Sequence, residues 1–558
     1  MVRIVLPTRQ DKGGRRSIFT DFRVEDGDAF RRRVEAEPLP PTIFAYLDET
    51  ANRYGDKAAW HFIDDGISRT WREVRDRSLE TAAAFAQCGI GKGSHVAVFL
   101  PNVEEFPLSW LALGRLGAVM VPVNVTYTPR EVAYVMGNAH ASHLVIHRDL
   151  LGIYESIEQP SVPRQRVIVV GDAHPDYAHW PAVMDAARGA QPPKTPVDPD
   201  DLVNIQYTSG TTGFPKGCML SHRYWLLLGK VSREIFATSI ARYYAGSSWY
   251  YMVPQRMLVN AMASGGAALY VPRKPTARRF MADVRAHRCE YVAVFEAVYK
   301  QPPHPDDAKN GLKIASIFAL SKENHADFQR RFDVFGQEMY GMTEIGPATH
   351  VPAHAIEATT GQGTCGIESP FRQVKIVDDD GRDVPTGSLG EVCVKGPGIL
   401  HGYYDNRAAT DEAFRGPWFR TGDLGRVDRH GYHFIVGRLK DMVRRSGENI
   451  SAREVEAVLR SMPEIEDAAI VPVPDEVRGE EVKAYIQLMP GQTPEAVPPE
   501  RILAHCATGL APFKVPRYIE YRETFPRTDS QRVQKRHLIE EKPDLRTGAY
   551  DRMEKRWR

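Results

Sequence analysis

Apolar residues in the early part of the chain alternate between helical and strand spacing. Three helix–strand pairs follow this order, at 70–86 with 96–100, at 110–117 with 118–123, and at 130–138 with 143–146. Gly89 and Gly91 end the first helical pattern before its strand begins. Helical spacing predicts amphipathic helices, and short uninterrupted apolar runs predict buried strands. Repeated helix–strand units predict an α/β fold with a parallel sheet covered by helices.

The pattern changes after Gly361, where short apolar runs are separated by glycine and aspartate turns. The runs at 374–377, 390–394 and 432–436 predict a β-rich subdomain at about 361–437. Beyond Lys440 the chain returns to mixed helix and strand patterns. The first forty residues are charged and end in several prolines, which predicts an irregular N-terminal arm, 1–40, with little chemistry.

Composition favours a globular, enzyme-sized protein and disfavours several function classes. The chain has 558 residues, with 72 Lys and Arg against 71 Asp and Glu, so its charge gives no reason to expect nucleic acid as a partner. No apolar run reaches the roughly 18 residues of a membrane-spanning helix. The six cysteines include no Cys-x-x-Cys pair and no cluster with histidine at zinc-ligand spacing. The N-terminal sequence does not match a signal-peptide pattern. We therefore expect a cytoplasmic protein with free thiols.

One segment carries the strongest chemical signal, the sequence YTSGTTGFPKG at 207–217. Backbone N–H groups and small hydroxyls at close range, with one lysine, suit a phosphate chain. Pro215 and Gly217 stand where a Walker A loop would have glycine and serine or threonine, so that motif is excluded. The candidate phosphate-binding residues are Thr208, Ser209, Gly210, Thr211, Thr212, Gly213 and Lys216.

With four later motifs, this segment resembles the adenylate-forming superfamily, which includes acyl-CoA synthetases, non-ribosomal peptide adenylation domains and luciferases. The matching motifs follow in the family's order at 340–344, 421–423, 437–441 and 446–451. The resemblance covers residues 40 to 540. It implies a large AMP-binding domain, 41–440, of two αβ-layered subdomains plus the β-rich subdomain. It also implies a small mobile C-terminal α+β domain, 441–558, that acts as a lid.

The later motifs have chemically sensible roles around a nucleotide. Tyr340, followed by Gly341, offers a flat face for adenine, and Thr343 with Glu344 offers oxygen ligands to a phosphate-bound Mg²⁺. Asp423 can accept hydrogen bonds from both ribose hydroxyls, and Arg438 can contact ribose or phosphate. Each of these residues alone has an ordinary structural explanation, and only the ordered set favours a nucleotide site.

The resemblance implies a two-step reaction that uses ATP, Mg²⁺ and CoA. A carboxylate is first joined to AMP with release of pyrophosphate, and a thiol then attacks the acyl-adenylate. Between the steps the C-terminal domain turns about a hinge, here Lys440, because one pocket must first exclude water and later admit a pantetheine arm. Gly447 lies where a side chain would obstruct that arm. Glu344, Lys440, Gly447 and residue 532 are the implied catalytic positions.

The chain departs from the family pattern at its last motif, Pro-x-Thr-x-Ser-Gly-Lys. Here the sequence reads PRTDSQR at 526–532, so Arg532 replaces a lysine that contacts the carboxylate and α-phosphate. Arginine is planar and longer, so the exchange is not conservative. Lys535 follows three residues later, roughly 10 Å away in an extended chain. It therefore cannot substitute without a register shift.

Two further departures concern the acyl pocket. A Pro-x-x-His stretch that is frequent in the family reads PQRM at 254–257, and a Gly-Gly-Ala pocket wall reads IFA at 317–319. Bulky residues at glycine positions would reshape the pocket. The candidate acyl-pocket residues are Met257, Phe295, Phe318 and Ala319.

We therefore predict an acid–thiol ligase that forms acyl-CoA from an acyl-adenylate and CoA, with the adenylation step impaired. A separate adenylating enzyme would then supply the adenylate. Three alternatives stay open: a complete ATP-dependent acyl-CoA synthetase, an enzyme that loads a free-standing carrier protein, and a nucleotide-binding pseudoenzyme. The sequence does not identify the acid. Dimers are the commonest oligomers, so a homodimer is the assembly considered.

Overall fold

The computed structural model describes residues 27–208, 215–318, 320, 322–445, 448–527 and 533–558. Within these ranges the chain forms four β-sheets with helices packed on them. The elements up to residue 221 are α1 Gly27–Ala36, α2 Ile43–Tyr54, β1 Ala58–Phe62, β2 Ile67–Thr70, α3 Trp71–Gln87, β3 His95–Phe99, α4 Glu105–Arg115, β4 Val119–Pro122, α5 Pro129–Asn138, β5 His143–His147, α6 Leu151–Glu155, β6 Val167–Val170, β7 Ala178–His179, α7 Trp180–Ala186, β8 Leu202–Thr208 and β9 Lys216–Ser221.

Most of these strands form the first sheet, in the order β7-β6-β5-β3-β4-β8-β9. Its pairs are parallel except β8 with β9, which form an antiparallel hairpin. The predicted helix–strand units are present as α3 with β3, α4 with β4, and α5 with β5. Helix α3 begins where the apolar pattern placed it because Thr70 and Glu73 form a capping box.

The second sheet uses the next stretch of chain together with β1 and β2. The new elements are α8 His222–Phe236, β10 Arg242–Tyr244, α9 Met252–Ala263, β11 Ala268–Val271, α10 Ala277–Ala286, β12 Tyr291–Phe295, α11 Glu296–Tyr299, β13 Ile314–Phe318, α12 Lys322–Phe332, β14 Phe335–Met342, β15 Gly346–His350, α13 Ile356–Thr359 and β16 Ile367–Glu368. Its order is β16-β15-β14-β13-β12-β10-β11-β1-β2, and the strands from β14 to β1 are parallel.

The two α/β sheets share a large hydrophobic core. Trp110 of α4 and Trp225 of α8 meet edge to face in this core, with ring centroids 4.9 Å apart. The sequence predicts an irregular arm for residues 1–40, yet 27–36 form helix α1. Arg31 of α1 pairs with Glu368 at 2.8 Å. Arg33 of the same helix pairs with Glu234 of α8 at 3.0 Å, so the helix docks on partners far away in sequence, which local composition cannot reveal.

The β-rich subdomain is an antiparallel sheet, as the short runs after Gly361 predict. Its elements are β17 Gln373–Val377, β18 Gly390–Lys395, α14 Arg407–Ala413, β19 Phe414–Arg415, β20 Trp418–Val427 and β21 His433–Arg438. The strand order is β17-β18-β20-β19, with β21 paired to the other edge of β20. One turn of 3₁₀-helix, Leu439–Asp441, leads out of this sheet.

The remaining chain forms a fourth sheet with its own core. Its elements are β22 Met442–Arg445, β23 Glu448–Ser451, α15 Ala452–Arg460, β24 Ile465–Asp475, β25 Gly479–Leu488, α16 Pro499–Gly509, β26 Tyr518–Tyr521, α17 Lys535–Glu540, β27 Tyr550–Asp551 and β28 Arg556–Trp557. The hydrophobic clusters of this part draw only on residues from Val443 onward. The α/β fold class is therefore confirmed. In the described ranges, no helix has the length and apolar character needed to cross a bilayer.

Candidate active site

The predicted phosphate-binding segment is the connection of the β8–β9 hairpin. Thr208 at the end of β8 pairs with Lys216 at the start of β9. The ammonium of Lys216 lies 4.8 Å from the ring centroid of Tyr403, where the ring's negative face attracts it. Five predicted residues, Ser209, Gly210, Thr211, Thr212 and Gly213, lie outside the described residues. The hairpin thus brings the two ends of the segment together, with Lys216 beside Tyr403.

Glu344 lies beside this hairpin, in the tight turn that joins β14 to β15. It is 6% exposed, whereas its neighbour Thr343 is half-buried and Gly341 is exposed. The Tyr403 hydroxyl donates a hydrogen bond to Glu344 Oε1 at 3.0 Å, and the Leu400 N–H donates to the Glu344 carbonyl at 2.8 Å. Burial raises the pKa of the Glu344 carboxyl, and the Tyr403 hydrogen bond opposes that shift.

Asp423 and Arg438 face each other across neighbouring strands of the β-rich subdomain. The two residues are register partners on β20 and β21, and Arg438 Nε lies 3.0 Å from Asp423 Oδ1. The Tyr340 hydroxyl donates to the other carboxylate oxygen, Asp423 Oδ2, at 2.6 Å. Burial of this hydroxyl, next to Asp423, raises the pKa of Tyr340 well above its usual value. Tyr340 as a whole is only partly exposed.

These groups form one electrostatic cluster. The charge of Arg438 lowers the pKa of Glu344 and that of Asp423 raises it, although burial of the carboxyl has the larger effect. The cluster therefore combines cationic side chains that can neutralise a phosphate, two buried carboxylates and one aromatic ring. Among the described residues, no group of three or more metal-ligating side chains is present. Glu344 and Thr343 still fit Mg²⁺, which usually takes one or two carboxylates and completes its shell with phosphates and water.

The predicted catalytic residues nearer the C-terminus are described only in part. Lys440 lies in the turn Leu439–Asp441, but its side chain lies outside the described part of the chain. Gly447 and Arg532 also lie outside the described residues. Lys535 is described, and its ammonium lies 2.6 Å from Glu456 Oε1 and 3.8 Å from Asp441 Oδ2. This lysine is thus held by carboxylates of helix α15 and of the turn Leu439–Asp441.

The predicted acyl-pocket residues come from helix α9 and from the ends of two parallel strands. Phe318 ends β13, and Phe295, its register partner, ends β12. The Phe295 side chain and Ala319 lie outside the described part. Met257 of α9 is buried in the main core, against which Phe318 packs. The adjacent residue, Arg256, places its guanidinium carbon 5.7 Å from the Phe318 ring centroid.

Sequence reasoning did not single out Tyr403 or Arg256 as candidates. Tyr403 follows the β-rich strand β18, and only the fold places it between Glu344 and Lys216. Arg256 lies in the stretch PQRM at 254–257, which departs from the family's Pro-x-x-His pattern. Comparison at the histidine position drew attention to Met257 and not to Arg256. The sequence does contain one signal for Arg256, because it is a charged residue within an otherwise apolar helical pattern.

Comparison with known families agrees with this geometry. The family model described as AMP-binding enzyme matches residues 47–404, and the model of the AMP-binding enzyme C-terminal domain matches 454–532. The chain belongs to the AMP-binding enzyme family. The predicted family is thereby confirmed, and with it the enzyme class, an acid–thiol ligase that uses ATP or AMP and CoA.

Curated relatives and solved structures of AMP-binding enzymes cover almost the same span. A crotonobetaine/carnitine–CoA ligase of Salmonella heidelberg is 31% identical over 511 residues, which are 88% of this chain and 97% of that protein. The ATP-bound structure of MatB from Rhodopseudomonas palustris is 26% identical, with a TM-score of 0.78 over 89% of this chain and 98% of that one. An anthranilate CoA ligase in complex with anthranoyl-AMP shares the fold, at 23% identity and a TM-score of 0.80 over 91% of this chain and 98% of that one.

Tyr403 offers a direct test of the Glu344 environment in this AMP-binding enzyme. Tyr403→Phe is expected to weaken Mg²⁺–ATP binding roughly five- to twentyfold, because a charge-assisted hydrogen bond to the carboxylate is lost. That bond lowers the pKa of Glu344 against burial. Its loss raises the pKa further, so the weakening should grow as pH falls. Calorimetric titration at several pH values measures both effects.

The neighbouring Tyr404→Phe serves as the control, because the Tyr404 hydroxyl contacts His140 Nδ1 at 3.4 Å and not Glu344. It should leave the affinity for Mg²⁺–ATP and its pH dependence unchanged. Equal losses in the two variants would show that Tyr403 does not act through Glu344.

Proposed function

We propose that this chain is an acyl-CoA ligase that forms a thioester from an acyl-adenylate and CoA, and that it adenylates free acids poorly. The observation that supports it most is the joint placement of Asp423, Arg438 and Tyr340 beside Glu344, because these groups suit an AMP moiety in either half-reaction. Their hydrogen bonds and charges are the kind that hold ribose and phosphate.

The thiolation step needs little chemistry beyond positioning. The CoA sulfur, as thiolate, attacks the carbonyl carbon of the mixed anhydride, and the bond from that carbon to the phosphate oxygen breaks. AMP leaves with the electron pair, and the thiol proton passes to solvent. Arg438 and Lys216 are the described cations closest to the nucleotide cluster, and we assign them to the phosphate charge. Mg²⁺, when bound by Glu344 and Thr343, would add to that neutralisation.

The proposal that this enzyme adenylates free acids poorly is based on the arginine at position 532. A compact ammonium can approach a reacting carboxylate and the α-phosphate together, whereas a guanidinium presents a planar fork at a greater distance. The ion pair of Lys535 with the buried carboxylate of Glu456 supports the proposal further. Moving Lys535 into the active site would break this ion pair and leave the buried carboxylate of Glu456 with only Arg460 at 4.0 Å and the Ile470 N–H, which is unfavourable. Lys535 is therefore not a replacement for the missing lysine.

The division at residues 439–441 belongs to the same proposal. We take 41–440 as the AMP-binding domain and 441–558 as the lid, with Lys440 at the hinge. The single turn Leu439–Asp441 and the separate hydrophobic clusters on its two sides support this boundary. A hinge at one short turn is the arrangement that a lid motion requires.

Synthetic acyl-AMP with CoA tests the proposed half-reaction directly. We expect thioester formation to exceed the rate without enzyme by at least about a hundredfold, since approximation and electrostatic stabilisation both contribute. Replacing CoA by a phosphopantetheinylated carrier protein identifies the acceptor. Tight adenylate binding without turnover on either acceptor would overturn the proposal in favour of a nucleotide-binding pseudoenzyme.

A complete ATP-dependent synthetase is the second candidate. It is favoured by the retained charge at Arg532 and by the coverage of 97% of the length of a curated CoA ligase. In that case the acid itself is the substrate and no separate adenylating enzyme is needed. Carboxylate-dependent exchange between ATP and pyrophosphate separates the two candidates.

A further inference from the structure

Arg256, in the middle of helix α9, is a buried cation without a carboxylate partner. Its residue is 7% exposed, and within the described part of the chain it forms no ion pair and its Nε–H meets no acceptor. Its Nη2 donates to the Tyr291 hydroxyl at 3.0 Å, and Nη1 lies 3.8 Å from the sulfur of Met339. The guanidinium also faces the ring of Phe318. Most of its hydrogen-bonding capacity is therefore uncommitted.

Among the described residues, the other two arginines that are at most 9% exposed are satisfied, whereas less buried ones such as Arg242 and Arg552 also have an Nε–H without an acceptor. Arg115 donates to the Asp48 carboxylate at 3.0 Å. Arg372 donates to backbone carbonyls, including that of Ile345 at 2.7 Å. A buried charge without such partners is strongly unfavourable. The exception at Arg256 therefore indicates a group that an anion completes.

The position of Arg256 places that anion on the acyl side of the nucleotide cluster. Phe318 lies at the carboxyl end of parallel strand β13, the edge at which ligands bind in open α/β sheets. Met339 directly precedes Tyr340, whose hydroxyl contacts Asp423. Arg256 thus lies between the buried helix α9 and the strands that lead to the adenylate-binding residues.

Tyr291 orients this guanidinium. Its hydroxyl donates to Ser316 Oγ at 2.8 Å and accepts from Arg256 Nη2, so one edge of the guanidinium is fixed by β12 and β13. A planar guanidinium held in this way matches the two oxygens of a carboxylate. A hydroxyl or an amide would satisfy the hydrogen bonds but would leave the charge uncompensated.

We propose that Arg256 binds a second anionic group of the acyl substrate, so that the enzyme acts on the adenylates of dicarboxylic acids. One carboxyl carries the AMP and the distal carboxylate pairs with Arg256. This inference rests on the proposed function, and it adds the substrate class. It also separates this chain from the curated relatives, because carnitine and crotonobetaine carry a trimethylammonium group that a buried guanidinium repels.

Non-reactive adenylate analogues test the proposal on the full chain. The probes are 5′-O-(N-acylsulfamoyl)adenosines in matched chain lengths, ending in carboxylate, carboxamide or trimethylammonium. Calorimetry should show the carboxylate-ended probe of the preferred length binding roughly 10- to 100-fold tighter than its carboxamide counterpart. The trimethylammonium-ended probe should bind most weakly.

Variants assign the preference to Arg256. Arg256→Gln should remove the preference for carboxylate over carboxamide, and Arg256→Lys should retain part of it. Arg278→Gln, which removes an exposed arginine of α10, should leave the preference unchanged. If Arg256→Gln does not fold, the wild-type series decides alone.

Equal binding of carboxylate- and carboxamide-ended probes, or preference for the trimethylammonium end, would overturn the inference while leaving the ligase function intact. Failure of every probe to bind, including those with simple alkyl chains, would overturn the proposed function and the inference with it.

Discussion

Arg532→Lys is expected to raise carboxylate-dependent ATP–pyrophosphate exchange by roughly 100-fold. Lysine restores a compact charge that can approach the carboxylate and the α-phosphate during adenylation, a type of electrostatic contact that contributes about 10²–10³ in rate. The thiolation of synthetic acyl-AMP should change less than about twofold, because that step is not assigned to this residue. A series of mono- and dicarboxylic acids supplies the substrates for exchange.

Arg527→Lys is the matched control for this prediction. It makes the same exchange five residues earlier, where the arginine pairs with Asp467 at 2.6 Å in the C-terminal sheet. Exchange should not increase in this variant. Rapid exchange by the wild-type protein, or no gain in Arg532→Lys with any acid tested, would favour the complete synthetase.

Asp423→Ala is expected to lower both half-reactions by about 10²–10³-fold. The change removes the acceptor that we propose for two ribose hydroxyls, and it leaves Arg438 and the Tyr340 hydroxyl without the carboxylate that they contact. Each charge-assisted hydrogen bond contributes about 1.5–3 kcal/mol, and one decade in rate corresponds to about 1.4 kcal/mol. Single-turnover thiolation and ATP–pyrophosphate exchange measure the two losses separately.

Asp423→Asn separates charge from shape, because the amide keeps the size of the side chain and one acceptor oxygen. It should lose less activity than Asp423→Ala and should unfold at nearly the wild-type temperature. A normal thiolation rate in Asp423→Ala would contradict the assignment of this site to AMP.

The local sequence was sufficient to predict those elements whose position is set by residues of the element itself. Helix α3 could be predicted because its apolar spacing and its capping residues Thr70 and Glu73 lie within the helix itself. Glu344, Asp423 and Arg438 could be predicted as a site because their motifs are short and ordered. Their register, with Asp423 opposite Arg438, follows from the strand pairing of one small sheet.

Long-range packing limited the rest of the prediction. Tyr403 acts on Glu344 from 59 residues away in sequence, and no local periodicity marks that contact. Arg256 meets Tyr291 and Phe318 only when α9 packs against β12 and β13. Helix α1 likewise depends on Glu368 for its position. In each case the decisive partner comes from another element, so propensity and motif spacing carry no information about it.

The separate hydrophobic cores on the two sides of Leu439–Asp441 set the energy scale of any rotation there. The C-terminal cluster begins at Val443, and the main cluster ends at Phe419. The proposed rotation about the turn would therefore leave both cores intact and would break interface contacts such as the hydrogen bond from Ser451 Oγ to the Val436 carbonyl at 2.7 Å. Such contacts contribute about 1 kcal/mol each, so the lid rotation that we propose requires no unfolding of either body.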